Sequence, residues 1–199
     1  MFTTVDLLRH GEPEGGQKFR GAIDDPLSAL GWEQMRAAVG NYHDWEAIIS
    51  SPLIRCAAFA RELSHRINKP LTIASGFSEL SFGIWEGRAV AEVNAADSQA
   101  LAQFWRDPVG YPIPRGEPVA EFDQRIGLAW DHLLRDYQGQ HVLLVAHGGV
   151  IRMILRRLLD MPLHRIWRIE VPYAAVSRIR QHCDPGSEPH LVFHNGRLA

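Results

Sequence analysis

Val142-Leu143-Leu144-Val145-Ala146 is an unbroken apolar run that ends at His147-Gly148-Gly149. A segment so short and so uniformly apolar has no face to offer to water. It fits a strand buried on both sides, as in a parallel sheet covered by helices. Val5-Asp6-Leu7-Leu8 reads the same way and ends at Arg9-His10-Gly11-Glu12. In open α/β sheets ligands bind beyond the carboxyl ends of strands, so two histidines arriving there from opposite ends of the chain are placed to converge.

Between and around these runs, apolar stretches alternate with helical patterns as βαβ units do, which predicts a three-layer α/β/α domain with a mostly parallel central sheet. The first strand is expected at residues 3–9. A Gly-rich loop and a helix from Ser28 to near Gly40 follow, with Leu30, Met35, Ala38 and Val39 on the apolar stripe. After a strand at residues 47–50, Ser51 and Pro52 read as a helix N-cap and first helical residue, which puts Arg55 in the first turn of a helix reaching Ile67. Asn68-Lys69-Pro70 breaks that helix, a short strand occupies residues 71–74, and Glu79 lies in the loop beyond it. Pro108, Pro112, Pro114 and Gly116 interrupt the helical stretches of residues 87–117, which are expected to form a small cap over the strand ends of a single domain spanning residues 1–199. A strongly periodic helix from Pro118 to about Tyr137 feeds the strand at Val142, and another follows His147 and stops before Pro162. Two last strands, near residues 176–181 and 191–194, read as a hairpin turning at Asp184-Pro185-Gly186, and this gives the sheet one antiparallel edge strand.

The chain has 199 residues, 46% of them hydrophobic, enough for a sizeable core. A net charge of -2 with no basic stripe argues against a nucleic-acid partner. No segment approaches the roughly 18 apolar residues that a bilayer span needs, and the N-terminus lacks the pattern of a secretory signal. Two cysteines, Cys56 and Cys183, make no disulfide framework and suit a reducing compartment. The expectation is a soluble, unprocessed cytoplasmic protein without membrane or nucleic-acid partners; a homodimer is allowed but not indicated.

Arg9, His10, Arg55, Glu79 and His147 all fall at or just past the ends of four expected strands. The simplest chemistry that needs two guanidiniums, two imidazoles and a carboxyl is phosphoryl transfer to a histidine. Guanidinium matches phosphate oxygens bidentately, and imidazole can form a phosphoramidate. His10 is expected to be uncharged in the free protein because Arg9 and Arg55 disfavour the imidazolium. The Gly148 amide, at a helix N-terminus, is an expected additional phosphate donor. Glu86 competes with Glu79 for the role of acid. His43, His65, His132, His141, His182, His190 and His194 read as bystanders, Trp85 as packing, and Arg152, Arg156 and Arg157 as a solvated helix face. A zinc site built from His10, His147 and a carboxylate has no supporting ligand spacing.

Four blocks in order carry a resemblance: Leu8-Arg9-His10-Gly11-Glu12, Ser51-Pro52-Leu53-Ile54-Arg55, the stretch from Glu79 through Trp85 to Gly87, and Val145-Ala146-His147-Gly148-Gly149. Together they resemble the histidine phosphatase superfamily, which includes phosphoglycerate mutases and many phosphatases, over nearly the whole chain. The resemblance implies His10 as the phosphorylated nucleophile, Arg9, Arg55 and His147 as the phosphate pocket, Glu79 as proton donor and later base, and a mechanism without metal or cofactor. Arg20-Gly21-Ala22-Ile23-Asp24-Asp25-Pro26-Leu27-Ser28, followed by Gly31-Trp32, is similar to the α-ribazole phosphatases of cobalamin synthesis. That similarity implies Arg20 and Gly21 at the pocket mouth and a small phosphate ester, α-ribazole 5′-phosphate or adenosylcobalamin 5′-phosphate, as substrate. Where many relatives carry Ser or Thr after the first block this chain has Pro13, so Gln17 or glycine amides are expected to supply the missing phosphate donors. The segment between Glu79 and His147 is shorter than in the mutases, which favours hydrolysis over mutase chemistry.

Overall fold

The computed structural model describes residues 1–184 and 186–198. Six strands form one sheet in the order β3-β2-β4-β1-β5-β6, with β1 at Phe2–Arg9, β2 at Ala47–Ser50, β3 at Leu71–Ile73, β4 at His141–Ala146, β5 at Val176–His182 and β6 at His190–Gly196. The β1, β2, β3 and β4 strands pair in parallel, and the antiparallel contribution comes from the β5 and β6 pair at one edge. The hairpin turn expected at residues 184–186 includes Pro185, which lies outside the described residues.

Alternation along the central strands sorts the core into two layers. Val5, Leu7, Val142, Leu144 and Ala146 face one way and pack against Phe122, Ile126 and Leu133 of α5 (Val119–Asp136) and Ile151 and Ile154 of α6 (Gly148–Leu158). Leu8, Leu143 and Val145 face the other way, against Met35 and Val39 of α1 (Ala29–Val39) and Phe59 and Leu63 of α2 (Ile54–Ile67). Each fully buried side chain of this kind contributes about 1.5–3 kcal/mol, so the doubly covered β4 is the spine of the domain. Two short helices, α3 (Val90–Ala96) and α4 (Ser98–Arg106), form the cap. It is tied to the loop after β1 by backbone bonds from Phe19 to Arg88 and from Gly87 to Phe19. No helix among the described residues is long and apolar enough to cross a membrane.

The register decides where the chemistry meets. Arg9 stands opposite Ala146 on the last rung of the parallel β1 and β4 pair, so His10 and His147 are the next residue on each of two adjacent central strands. One feature departs from the sequence expectation: Ser51 is not the N-cap of α2. The helix starts at Ile54, Leu53 occupies the cap position without a side-chain bond, and the Ile54 amide donates instead to Asp24. The Ser51 hydroxyl is used elsewhere.

Candidate active site

His10 follows β1 directly and is almost fully buried. Its Nδ1 lies 2.7 Å from the Gly11 carbonyl oxygen. A carbonyl only accepts, so Nδ1 carries the proton and Nε2 keeps its lone pair. Burial first, and then the charges of Arg9 and Arg55, hold the pKa of this ring well below the usual histidine value. The neutral His10 ring expected from the sequence is therefore what the environment favours.

His147 is completely buried beneath it, with the two rings 5.2 Å apart at an interplanar angle of 63°. Its Nε2 is 2.7 Å from Ser51 Oγ, the partner that the N-cap expectation had assigned to α2. Cys56 Sγ lies 3.7 Å from the same nitrogen. Burial, followed by Arg55 and His10, depresses the His147 pKa as well.

Three guanidiniums surround this pair. Arg9 donates to the Val171 carbonyl and lies 4.1 Å above the Tyr173 ring, and its Nε is buried without a partner. Arg55 is fully buried, donates to the Ile23 and Gly21 carbonyls at 2.7 and 2.9 Å, and also has an orphaned Nε. Arg152, expected on a solvated face, instead lines the cavity above His10, because it stands one helical turn beyond Gly148 on the same face of α6. Its Nε donates to the Ile169 carbonyl at 2.8 Å. Arg156 and Arg157, on the same stretch, pair with Asp123 of α5. Every protein partner of Arg9, Arg55 and Arg152 is a carbonyl oxygen, so their positive charge is not neutralised by any ion pair among the described residues. Unpartnered buried N–H groups are costly, and donors aimed at a shared pocket mark an anion site.

Glu79 sits across the cavity and is oriented by two amides, Leu80 N and Gly149 N, each at 3.0 Å. Its place at the start of α6 is favourable for a carboxylate. A Cβ at position 149 would lie 2.2 Å from Glu79 Oε1, so glycine is required there for the carboxyl to reach its seat. Glu86, the competing acid, is spent elsewhere: its oxygens accept from the amides of Gly21, Ala22, Ile23 and Phe82 and shape the loop that holds Arg55.

The cavity has a volume of about 390 Å³ and is lined by Arg9, His10, Lys18, Arg20, Glu79 and Arg152, with an aromatic wall of Phe19, Phe82, Trp105, Trp167 and Tyr173. Gly148 also lines it, whereas Arg55 and His147, both fully buried, do not belong to its lining. Arg20, expected at the mouth, is a buried part of the lining, bonded to Asp25 at 2.7 Å and to the Glu14 carbonyl at 2.6 Å. Two expectations fail. Gln17 is exposed and outside the lining, and Lys18 takes that place, because left-handed Gly15 and Gly16 (φ +79° and +69°) swing the chain outward before it returns at Phe19. Gly21 is framework, with its carbonyl on Arg55 and its amide on Glu86. Tyr173, Trp105 and Trp167 had no periodic signal to announce them. No three His, Cys, Asp or Glu side chains among the described residues are gathered as metal ligands.

This constellation, on this sheet, matches one family along almost its full length: the histidine phosphatase superfamily (branch 1) over residues 5–192. The chain belongs to that superfamily. Among its relatives, it is 33% identical to the glucosyl-3-phosphoglycerate phosphatase of Mycolicibacterium vanbaalenii, covering 78% of this chain and 74% of the relative. It is 28% identical to the adenosylcobalamin/alpha-ribazole phosphatase of Escherichia coli, covering 87% of each. The structure of Bacillus stearothermophilus YhfR superposes with a TM-score of 0.87 at 27% identity, covering 99% of this chain and 98% of that one. The chain spans only 55% of the length of a mycobacterial "bifunctional protein" to which it is 29% identical. The chain thus has the α/β fold of its relatives, several of which carry phosphatase names.

Proposed function

We propose that the protein hydrolyses small phosphate monoesters through a phosphohistidine at His10. The observation that carries this reading is the free Nε2 of a neutral, buried His10 facing uncompensated guanidiniums, with a carboxyl opposite. The phosphate dianion seats against Arg9 in the cavity, with the positive charge of the buried Arg55 close behind His10. The His10 Nε2 lone pair attacks phosphorus, the bond from phosphorus to the ester oxygen breaks, and Glu79 gives its proton to the departing oxygen. As the ring gains positive charge, its Nδ1–H bond to the Gly11 carbonyl strengthens. Water then enters, Glu79 takes its proton, the oxygen attacks phosphorus, and the P–N bond breaks to release inorganic phosphate and neutral His10. Charge spread over the phosphoryl oxygens is met by preorganised donors, which is the main source of catalysis in such transfers.

For the ester, the two relatives act on different compounds at nearly equal distance from this chain, so identity alone does not choose. The aromatic wall and the loop of residues 20–32 favour α-ribazole 5′-phosphate or adenosylcobalamin 5′-phosphate. The cytoplasm is the compartment that fits such a substrate and two unpaired cysteines. A panel of esters compared by kcat/KM, with rapid-quench trapping of acid-labile, base-stable label on His10, tests the reading. Phosphate release that survives chelators is expected; transfer to a second substrate without net release would turn it into a mutase, and absence of label with every ester would refute it.

A further inference from the structure

Arg152 is the one cation of the cavity wall that the phosphoryl reaction leaves without an anion. With a phosphate dianion against Arg9 and a proton on Glu79, Arg152 has no ion-pair partner among the described residues, and only the charge of Glu170 acts on it without a direct contact. Only its Nε is bonded, to the Ile169 carbonyl, and its terminal nitrogens make no hydrogen bond among the described residues. Arg152 Nη1 and Arg9 Nε lie 3.0 and 3.4 Å from a single point, where a Cβ on Gly148 would stand. Two guanidiniums thus converge over the start of α6 with no carboxylate paired to either. Burial, and then the charge of Arg9, lower the pKa of Arg152. An anion there would relieve both.

The surroundings define what that anion is attached to. The Arg152 guanidinium lies 5.5 Å from the centre of the Trp167 ring, whose indole N–H is buried with no acceptor. Trp105 of the cap packs edge-on against Trp167 at 4.9 Å and stacks on Phe19 at 6.0 Å. Behind the phosphate seat there is accordingly a second basic spot against an apolar aromatic wall.

We propose that Arg152 recognises a second acidic group, a carboxylate or a phosphodiester, carried by the leaving group, so that the enzyme selects phosphate monoesters that are also acids elsewhere. The inference rests on the phosphoryl site assigned above. Of the two cobalamin-related esters, only adenosylcobalamin 5′-phosphate has such a group, in its phosphodiester.

A matched pair isolates the effect: 3-phosphoglycerate, and glycerol 3-phosphate, in which a hydroxymethyl group replaces the carboxylate. The wild-type enzyme is expected to favour the acid by about tenfold or more in kcat/KM, the range of one charge-assisted hydrogen bond. Arg152→Gln is expected to erase that preference, lowering kcat/KM about tenfold more for 3-phosphoglycerate than for glycerol 3-phosphate. Arg152→Lys, which keeps the charge and abandons the Ile169 bond, is expected to restore part of it, a result that a merely structural role would not give. Equal wild-type kcat/KM for the two esters, or an equal loss on both in Arg152→Gln with no rescue by lysine, overturns the inference alone. Failure of both esters together with failure to label His10 by p-nitrophenyl phosphate overturns the phosphatase reading as well.

Discussion

One strand, β1, carries two charges, buried Asp6 and half-buried Arg9, with opposite fates. Asp6 is wholly buried on the α1 and α2 side of the sheet, yet every valence is met: Arg178 Nε and Nη2 reach it at 2.7 and 3.0 Å, Trp45 Nε1 at 2.7 Å and His141 Nε2 at 2.9 Å. Burial works against this carboxylate, but the bonds from His141 and Arg178 outweigh it and lower its pKa. Three residues on, Arg9 opens the other region, where Arg9 and Arg55 keep orphaned Nε atoms and have carbonyls but no carboxylates as partners. The closed cluster is finished without a ligand. The open one is not, and an anion is what completes it. Incomplete satisfaction, rather than burial or charge, separates the functional end of the strand from the structural one.

The sharpest way to break this contrast is to change one residue in each region and measure both activity and stability. His10→Ala is expected to lower kcat by at least about 10⁴-fold, as loss of a nucleophile does. Because the ring is bonded to a single carbonyl, its unfolding free energy should move by no more than roughly 1–3 kcal/mol, chiefly from the small void left behind. Asp6→Ala should do the reverse. Stranding a buried Arg178 costs about 3–5 kcal/mol, visible as a lowered denaturant midpoint, while the protein that remains folded keeps its kcat. A variant at Asp6 that loses turnover without losing stability would erase the distinction.

The two regions also differ in how pH reaches them. Below about pH 6.5 the unfolded chain protonates residues 10 and 147, whereas the native rings stay neutral because their pKa values are depressed. Unfolding then takes up protons, so stability is complete above that pH and falls as pH drops, by about 1.4 kcal/mol per pH unit for each ring. Asp6, with its pKa lowered, contributes stability that is lost only below about pH 4, where the unfolded carboxylate begins to protonate. Denaturation between pH 6.5 and 5 should therefore be less steep in His10→Gln than in the wild type by one ring's share. An unchanged slope would mean that His10 titrates normally in the native state.

How much of this was legible beforehand follows from which residues obey a period. The two histidines were visible because an apolar run buried on both faces must stop somewhere, and here each stop is a histidine. Arg55 was visible from its position in the first turn of α2, though the helix starts two residues later than Pro52 suggested. Arg152 was misread because its spacing is that of an exposed helical face, and the face is covered only by the segment before β5, which has no pattern of its own. Tyr173 belongs to that same segment. Gln17 was misplaced because side-chain direction in its loop is set by two successive left-handed glycines, a backbone fact that residue types alone do not reveal.

Ser51 supplies the smallest and most discriminating comparison. Read as a helix cap, its hydroxyl would support α2, and Ser51→Ala would cost about 1 kcal/mol of stability with activity intact. In the structure the hydroxyl is 2.7 Å from His147 Nε2, and the Leu53 amide reaches it only at 3.3 Å. Removing it leaves a buried ring nitrogen with only the weak partner Cys56 Sγ, at 3.7 Å, directly under His10. The same 1 kcal/mol should then appear in kcat, as a loss of about fivefold, because the bond fixes the His147 ring that packs against His10 and so holds the reacting ring in place. Ser51→Thr, which retains a hydroxyl, should recover most of it. A stability loss without a kcat loss in Ser51→Ala would return this residue to the structural side of the division.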